Sequence, residues 1–393
     1  MSKRNRPRSV FRLAALASAL CVAAVSGGVF AQRARRAATV VNPRTAAVVA
    51  ATAEVLEETS RLRELPVLRP VTSGAQSRAD IEQMITRNLN EDTTPEEMRA
   101  TEVALKKFGL VPPEFRLREF IVKLLSEQVA GYYEPKRQTF YLADWIDVDG
   151  QKPVMAHELT HALQDQHFNL RRFEKWPKGD SDAELAAQAL VEGDATLVMT
   201  HYIAQNPLVA FAMMKSMLGS GAATEQIESA PRALRDTLLF PYEDGMTFAR
   251  QLQRRGGWPL VSKAYAELPQ STEQILHVEK YFSREAPVKV HFPNLAQALG
   301  AGWRRTDYDV NGEWGYLKII GEYLTIREES RNAAGGWAGD RYALYERARG
   351  GGVVLAQMTV WDTEQDAAEF FEAYARRTEL RRSWTTKEGD VFL

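Results

Sequence analysis

The chain predicts an α+β fold with a mostly helical core, and three observations carry that expectation. Two strong helix-start signals fall within residues 77–97. An aromatic and β-branched stretch over 131–142 then breaks the helical period just ahead of a long apolar run. Strand patterns and a capped helix succeed one another over 341–377. With 393 residues, 45% of them hydrophobic and 26% charged, the chain can bury a full core, and its length suggests about two or three domains.

Residues 1–31 read as a secretory signal peptide. Lys3, Arg4, Arg6, Arg8 and Arg12 make a basic start, 13–31 is uncharged and mostly apolar, and Val29-Phe30-Ala31 offers a small-residue cleavage site. The rival is an uncleaved membrane anchor, because the apolar run approaches spanning length; Gly27 and Gly28 near its end favour cleavage. Arg4 and Arg6 are not adjacent, which argues against a twin-arginine signal, and Leu20 before Cys21 argues against a lipoprotein site. The expected location is secreted or periplasmic, with no stable membrane span after cleavage. Removing residues 1–31 takes five positive charges and no acid, so the formal charge goes from −1 to −6. That balance gives no electrostatic case for nucleic acid or for anionic membrane surfaces. Cys21 is the only cysteine, so the mature chain has no disulfide and no cysteine-ligated metal. A metal would need histidines and carboxylates.

Residues 32–75, rich in Ala, Val, Arg and Thr, have the character of a linker or pro-region, although 46–65 can form one helix stopped by Pro66. A main domain is expected over 76–294. Ser77 with Asp80 caps a helix to about 89, and Thr94-Pro95-Glu96-Glu97 opens another that stops at Gly109. Residues 115–129 carry a further helical apolar stripe. Residues 131–142 read as a β-hairpin turning at Glu134-Pro135-Lys136-Arg137. A strand edge there, beside the next helix, would let an extended backbone pair with it.

That next helix contains Ala156-His157-Glu158-Leu159-Thr160-His161-Ala162, the pattern H-E-x-x-H. In a helix His157 and His161 lie one turn apart on one face, where two imidazoles can hold one Zn²⁺ while Glu158 works on a water. The plainer reading is a helix with two surface histidines. Half of the six histidines fall within 157–167, which concentrates attention here.

A catalytic zinc usually takes three protein ligands plus water, and two candidates compete for the third place. His167 would nearly complete H-E-x-x-H-x-x-G-x-x-H, but Gln164 stands where glycine must let the chain leave the helix. If the helix continues, His167 lies about 240° around the axis from His161 and faces away. The other candidate is Glu192. A capping box over 181–184 opens a second helix after a polar loop. If the two helices are antiparallel, the histidine pair lies roughly 13 Å before the first helix ends and Glu192 roughly 15 Å into the second. Glu184 would enter only about 3 Å and miss. Glu192 is therefore the favoured third ligand, against the plainer view of a solvated acid.

His157-Glu158-Leu159-Thr160-His161-Ala162 with a downstream helical glutamate resembles the gluzincin group of zinc metallopeptidases, the thermolysin-like enzymes among them. The likeness covers about residues 130–200. It implies a zincin-like catalytic core with His157, His161 and Glu192 as metal ligands and Glu158 as general base. Two departures stand out. The interval from His161 to Glu192 is longer than in those enzymes, and Thr196 occupies the place of an acidic residue four positions after the glutamate. Asp194 is the candidate to hold a ligand histidine by its other nitrogen.

The chemistry this ligand set implies is hydrolysis of peptide bonds in a peptide or protein substrate, with Zn²⁺ as cofactor. The tetrahedral intermediate needs a further donor. His277, in Ser271-Thr272-Glu273-Gln274-Ile275-Leu276-His277, is the candidate, with Tyr281 behind it; a structural histidine is the alternative. Residues 295–393 are expected to form a small α+β module, with a helix or alternatively a strand near 316–324, strands over 341–347 and 353–361, a glycine turn at 350–352 and a capped helix over 364–377. Trp314, Trp337 and Trp361 are read as core rather than as a binding surface. The competing functions are a zinc hydrolase of cell-wall peptides or other amides, and a non-catalytic secreted binding or scaffold protein with structural zinc.

Overall fold

The structure, a computed structural model, describes residues 43–392 except 146, 178, 211–229, 325, 349–350, 379–382 and 387–388. The expected signal peptide, residues 1–31, lies outside them. The fold is α+β. Helix α1 (Pro43–Arg63) leads into strand β1 (Thr72–Gln76), then α2 (Arg78–Asp92), α3 (Pro95–Phe108) and α4 (Leu117–Gln128). Strands β2 (Gly131–Glu134) and β3 (Thr139–Ala143) precede the long helices α5 (Lys152–Phe168), α6 (Ser181–Gln205) and α7 (Arg232–Ala264). The short helices α8 (Thr272–Leu276) and α9 (Val278–Phe282) close this part.

The helix starts read from sequence are present as capping boxes. Ser77 and Asp80 exchange hydrogen bonds at α2, and Thr94 and Glu97 do so at α3, with Pro95 in the first turn. Gly109 ends α3 in the left-handed region, where it carries no Cβ penalty. Helix α6 begins differently from the expectation. Its cap is Asp180, which accepts from the Ala183 N–H, while Ser181 Oγ donates to Asp309 Oδ2. A distant carboxylate has drawn the serine away from the local box.

Strands β2 and β3 form the expected hairpin, and β1 adds alongside β3 in parallel to give the order β1-β3-β2. Residues 43–76 therefore do not behave as a linker. Val48, Ala51, Val55 and Leu56 of α1, on one helical face, share a core with Tyr133, Phe140 and Leu142 of the hairpin and Met155, Leu159 and Leu163 of α5. The alanine-rich composition that reads as linker from sequence belongs to a helix that packs closely.

The C-terminal part holds β4 (Trp303–Asp309), α10 (Gly312–Gly321), α11 (Arg327–Ala334), β5 (Trp337–Arg347), β6 (Val353–Trp361) and α12 (Glu364–Thr378). Strands β4, β5 and β6 make an antiparallel sheet in that order, and β7 (Ser383–Thr386) pairs with β8 (Gly389–Phe392). Packing crosses the boundary expected at 294/295. Tyr316, Trp337, Tyr342 and Phe370 share one core with Ile81 of α2, Phe108 of α3 and Leu124 of α4. Trp314 and Trp337 are buried, and Trp361 lies 4.4 Å from the Phe370 ring, consistent with core roles. Among the described residues no helix is long and apolar enough to cross a membrane.

Candidate metal centre

Helix α5 is buried on every side from Pro153 to Asp165, so its polar residues must find partners inside the protein. It continues unbroken to Phe168, where Asn169 takes the left-handed conformation and donates back to Asp165 O. Because the helix does not break at Gln164, His167 is carried outward, and its Nε2 sits 2.8 Å from Pro66 O at the surface. The fold therefore does not turn His167 toward the histidine pair.

His157 and His161 turn their rings edge to face, with centroids 4.7 Å apart and Nε2 atoms 3.1 Å apart. Glu192 reaches both from α6, its Oε2 lying 3.1 Å from His157 Nε2 and 3.3 Å from His161 Nε2. Three lone-pair atoms thus form a nearly equilateral triangle. A tetrahedral zinc with ligands at ~2.05 Å has ligand–ligand edges of about 3.3 Å, so the triangle has the size of one face of that tetrahedron. The group is closed from solvent: His157 is 1% exposed, His161 5%, Glu158 1% and Glu192 3%.

The charges of this group are coupled. Burial alone would lower the His161 pKa, but the Glu192 carboxylate, followed by Glu158, outweighs it and raises His161 to about 9. Burial alone would raise Glu192, yet His161 and His157 hold it down at about 2. His157 Nδ1, though buried, has no hydrogen-bond partner among the described residues. Two imidazoles and one carboxylate converging in this way fit a divalent zinc ion.

Glu158 is held apart from that triangle, although a ligand atom of it lies within 4.8 Å of both histidines. Its Oε2 accepts the backbone N–H of Tyr133 at 2.7 Å, and the Tyr133 hydroxyl donates to Asp165 Oδ2 at 3.0 Å. Asp165 is two helical turns beyond Glu158, so one β2 residue pins the same face of α5 at two levels. Strand β2 ends the sheet order, which makes it an edge strand beside the motif helix.

Several contributors were not legible beforehand. Tyr242 of α7 stacks on His157, with centroids 5.9 Å apart and planes at 28°. Gln164, visible in sequence only as a missing glycine, places Oε1 2.8 Å from His161 Nδ1. Its Nε2 donates to Val191 O and to Asp194 Oδ2, each at 3.0 Å. Asp194, expected to hold a ligand histidine by its other nitrogen, bonds Gln164 instead, and Gln164 takes the His161 nitrogen. Asp194 in turn accepts from Arg63 Nε at 2.6 Å and from the Tyr265 hydroxyl at 2.8 Å. A signal for some of this existed in Gly193 and Gly245, which mark a close helix crossing.

The expected donor His277 stands at the α8–α9 joint with Nε2 2.8 Å from Glu313 Oε1, so that ring nitrogen is engaged there. That hydrogen bond, stronger than the opposing effect of burial, raises its pKa. Tyr281, expected behind it, donates to Glu267 O instead. Helix α8 ends at Leu276, and the buried Glu313 of α10, 36 positions along the chain, engages the imidazole. A second acidic group, Glu273, Glu285 and Asp362, encloses the Lys280 ammonium at 2.6–2.7 Å, so a lysine already fills it.

A family model described as a domain of unknown function (DUF8575) matches residues 297–392, which lie outside the histidine site. No curated protein and no solved structure matches the chain.

Proposed function

We propose that the protein is an exported zinc-dependent peptidase, of the gluzincin type that its H-E-x-x-H helix and downstream glutamate resemble. The observation that carries this reading is the triangle of His157 Nε2, His161 Nε2 and Glu192 Oε2, with edges of 3.1–3.3 Å and Glu158 next in the chain to a ligand. His157, His161 and Glu192 would hold the ion. A bound zinc supplies Lewis acidity and lowers the pKa of water toward ~7.

The chain's own groups then have defined tasks. Glu158 accepts a proton from the attacking water and returns it to the leaving amine. The Tyr133 N–H, bonded to Glu158 Oε2, sets the direction of that carboxylate. Strand β2 ends its sheet beside the motif helix, and pairing of an extended substrate backbone along it is part of the proposal. Export rests on the basic, apolar and small-residue order of residues 1–31.

The test is casein hydrolysis by the purified chain, with and without chelator, together with elemental analysis. About one zinc per chain is expected, with peptide release abolished by the chelator. Glu158→Gln should keep the zinc and lose hydrolysis. Zinc that raises the melting temperature without any peptide release, from casein or from cell-wall peptides, would identify a structural site and defeat the enzyme reading.

A further inference from the structure

We propose that Gln164, Asp194 and Arg63 form a positioning chain that fixes His161 as a metal ligand, which makes helix α1 a working part of the metal site. The proposal rests on the zinc reading above.

Orientation runs inward from the charges. Gln164 Nε2 faces two atoms that can only accept, Val191 O and Asp194 Oδ2, so the amide has one possible orientation. Its oxygen is thereby turned to His161 Nδ1 at 2.8 Å. An amide oxygen only accepts, so Nδ1 carries the hydrogen and the Nε2 lone pair is left for the triangle. Val191 O and Asp194 thus select the tautomer of a histidine that neither of them touches.

Asp194 needs its own support, because a buried carboxylate without a counter-charge does not persist as an anion. Arg63 supplies it from α1. Its guanidinium is fully buried, 2.6 Å from Asp194 Oδ1, with the Ser262 hydroxyl at 3.2 Å and the Trp258 ring centroid at 4.6 Å. The Tyr265 hydroxyl shares Asp194 Oδ2 with Gln164. A neutral amide between imidazole and carboxylate transmits orientation and adds no charge, so Glu192 remains the anionic ligand of the set. The helix that carries Arg63 lies in the stretch whose composition suggests a removable pro-region, yet the metal site depends on it.

Zinc affinity of the full mature chain, measured by competition with a chromophoric chelator, tests this. Gln164→Met and Arg63→Met should each weaken zinc binding about 10–100-fold, and Tyr265→Phe, which removes a neutral donor to Asp194 and leaves its counter-charge in place, about threefold. The metal-free melting temperature of Tyr265→Phe should fall only by what one lost buried hydrogen bond costs, and the Co²⁺ form of Gln164→Met should show shifted visible bands. A purely structural role would move the melting temperature and leave the affinity of the folded protein alone. Affinity within about twofold of wild type in Gln164→Met or in folded Arg63→Met overturns the proposal. If both fail to fold, an unchanged affinity in Tyr265→Phe overturns it. A wild-type chain that takes up no zinc defeats the metal reading itself, whereas a wild type that binds zinc with equal variants defeats the positioning chain alone.

Discussion

Gly193 and Gly245 meet backbone to backbone: a Cβ on Gly193 would lie 2.0 Å from the Gly245 carbonyl carbon, and one on Gly245 would lie 2.2 Å from Ala189 O. Helices α6 and α7 can approach this closely only because both positions lack a side chain. The contact sits one residue after Glu192 and three after Tyr242, so it sets the spacing of the triangle and of the ring stacked on it.

Gly193→Ala therefore forces two helix backbones apart rather than moving a side chain. The expected cost is roughly 3 kcal/mol, at the upper end for an overpacked core. A urea titration of the metal-free protein measures it. Zinc affinity should fall too, because Glu192 moves with the displaced helix. A variant as stable as the wild type would show that the helices part without strain.

The third-ligand assignment yields a paired prediction. Glu192→Ala should lose bound zinc, since two imidazoles alone leave the triangle open. His167→Ala should retain it, because that ring faces Pro66 O at the surface. Elemental analysis of both variants after dialysis decides the point; zinc retained without Glu192 and lost without His167 reverses the assignment.

Stability should also depend on pH through a set of buried aspartates. Burial pushes Asp309 up to about 7 and Asp340 up to about 6, and raises Asp182 and Asp307 well above the usual carboxylate range. A carboxyl whose folded pKa is raised contributes stability that is fully present below its unfolded value, near ~4, and is lost as pH rises through the folded value. From these groups, unfolding midpoints in urea should fall between pH 5 and pH 8. Asp309→Asn removes one such proton, so its midpoint relative to wild type should improve steadily toward pH 8. A difference that stays constant with pH would mean that Asp309 does not titrate in this range.

Local chemistry in the sequence was sufficient for the capped helices α2 and α3, the hairpin, strand β6 and helix α12, and it singled out His157, His161 and Glu192, which the fold brings together. Caps, turns and one-turn spacings depend on neighbours along the chain, and the Glu192 inference needed only helix rise and a loop. Tertiary structure decided the rest. Arg63 lies 131 positions from Asp194, and Tyr265 lies 71 from it, so no local pattern joins them. His277 could be drawn toward the site on paper because nothing near it in sequence reveals Glu313, 36 positions away. Residues 43–63 look expendable until the apolar face of α1 meets the motif helix. A residue's periodicity announces its element, but the partner of a buried charge is chosen by whichever distant group folding brings within hydrogen-bond reach.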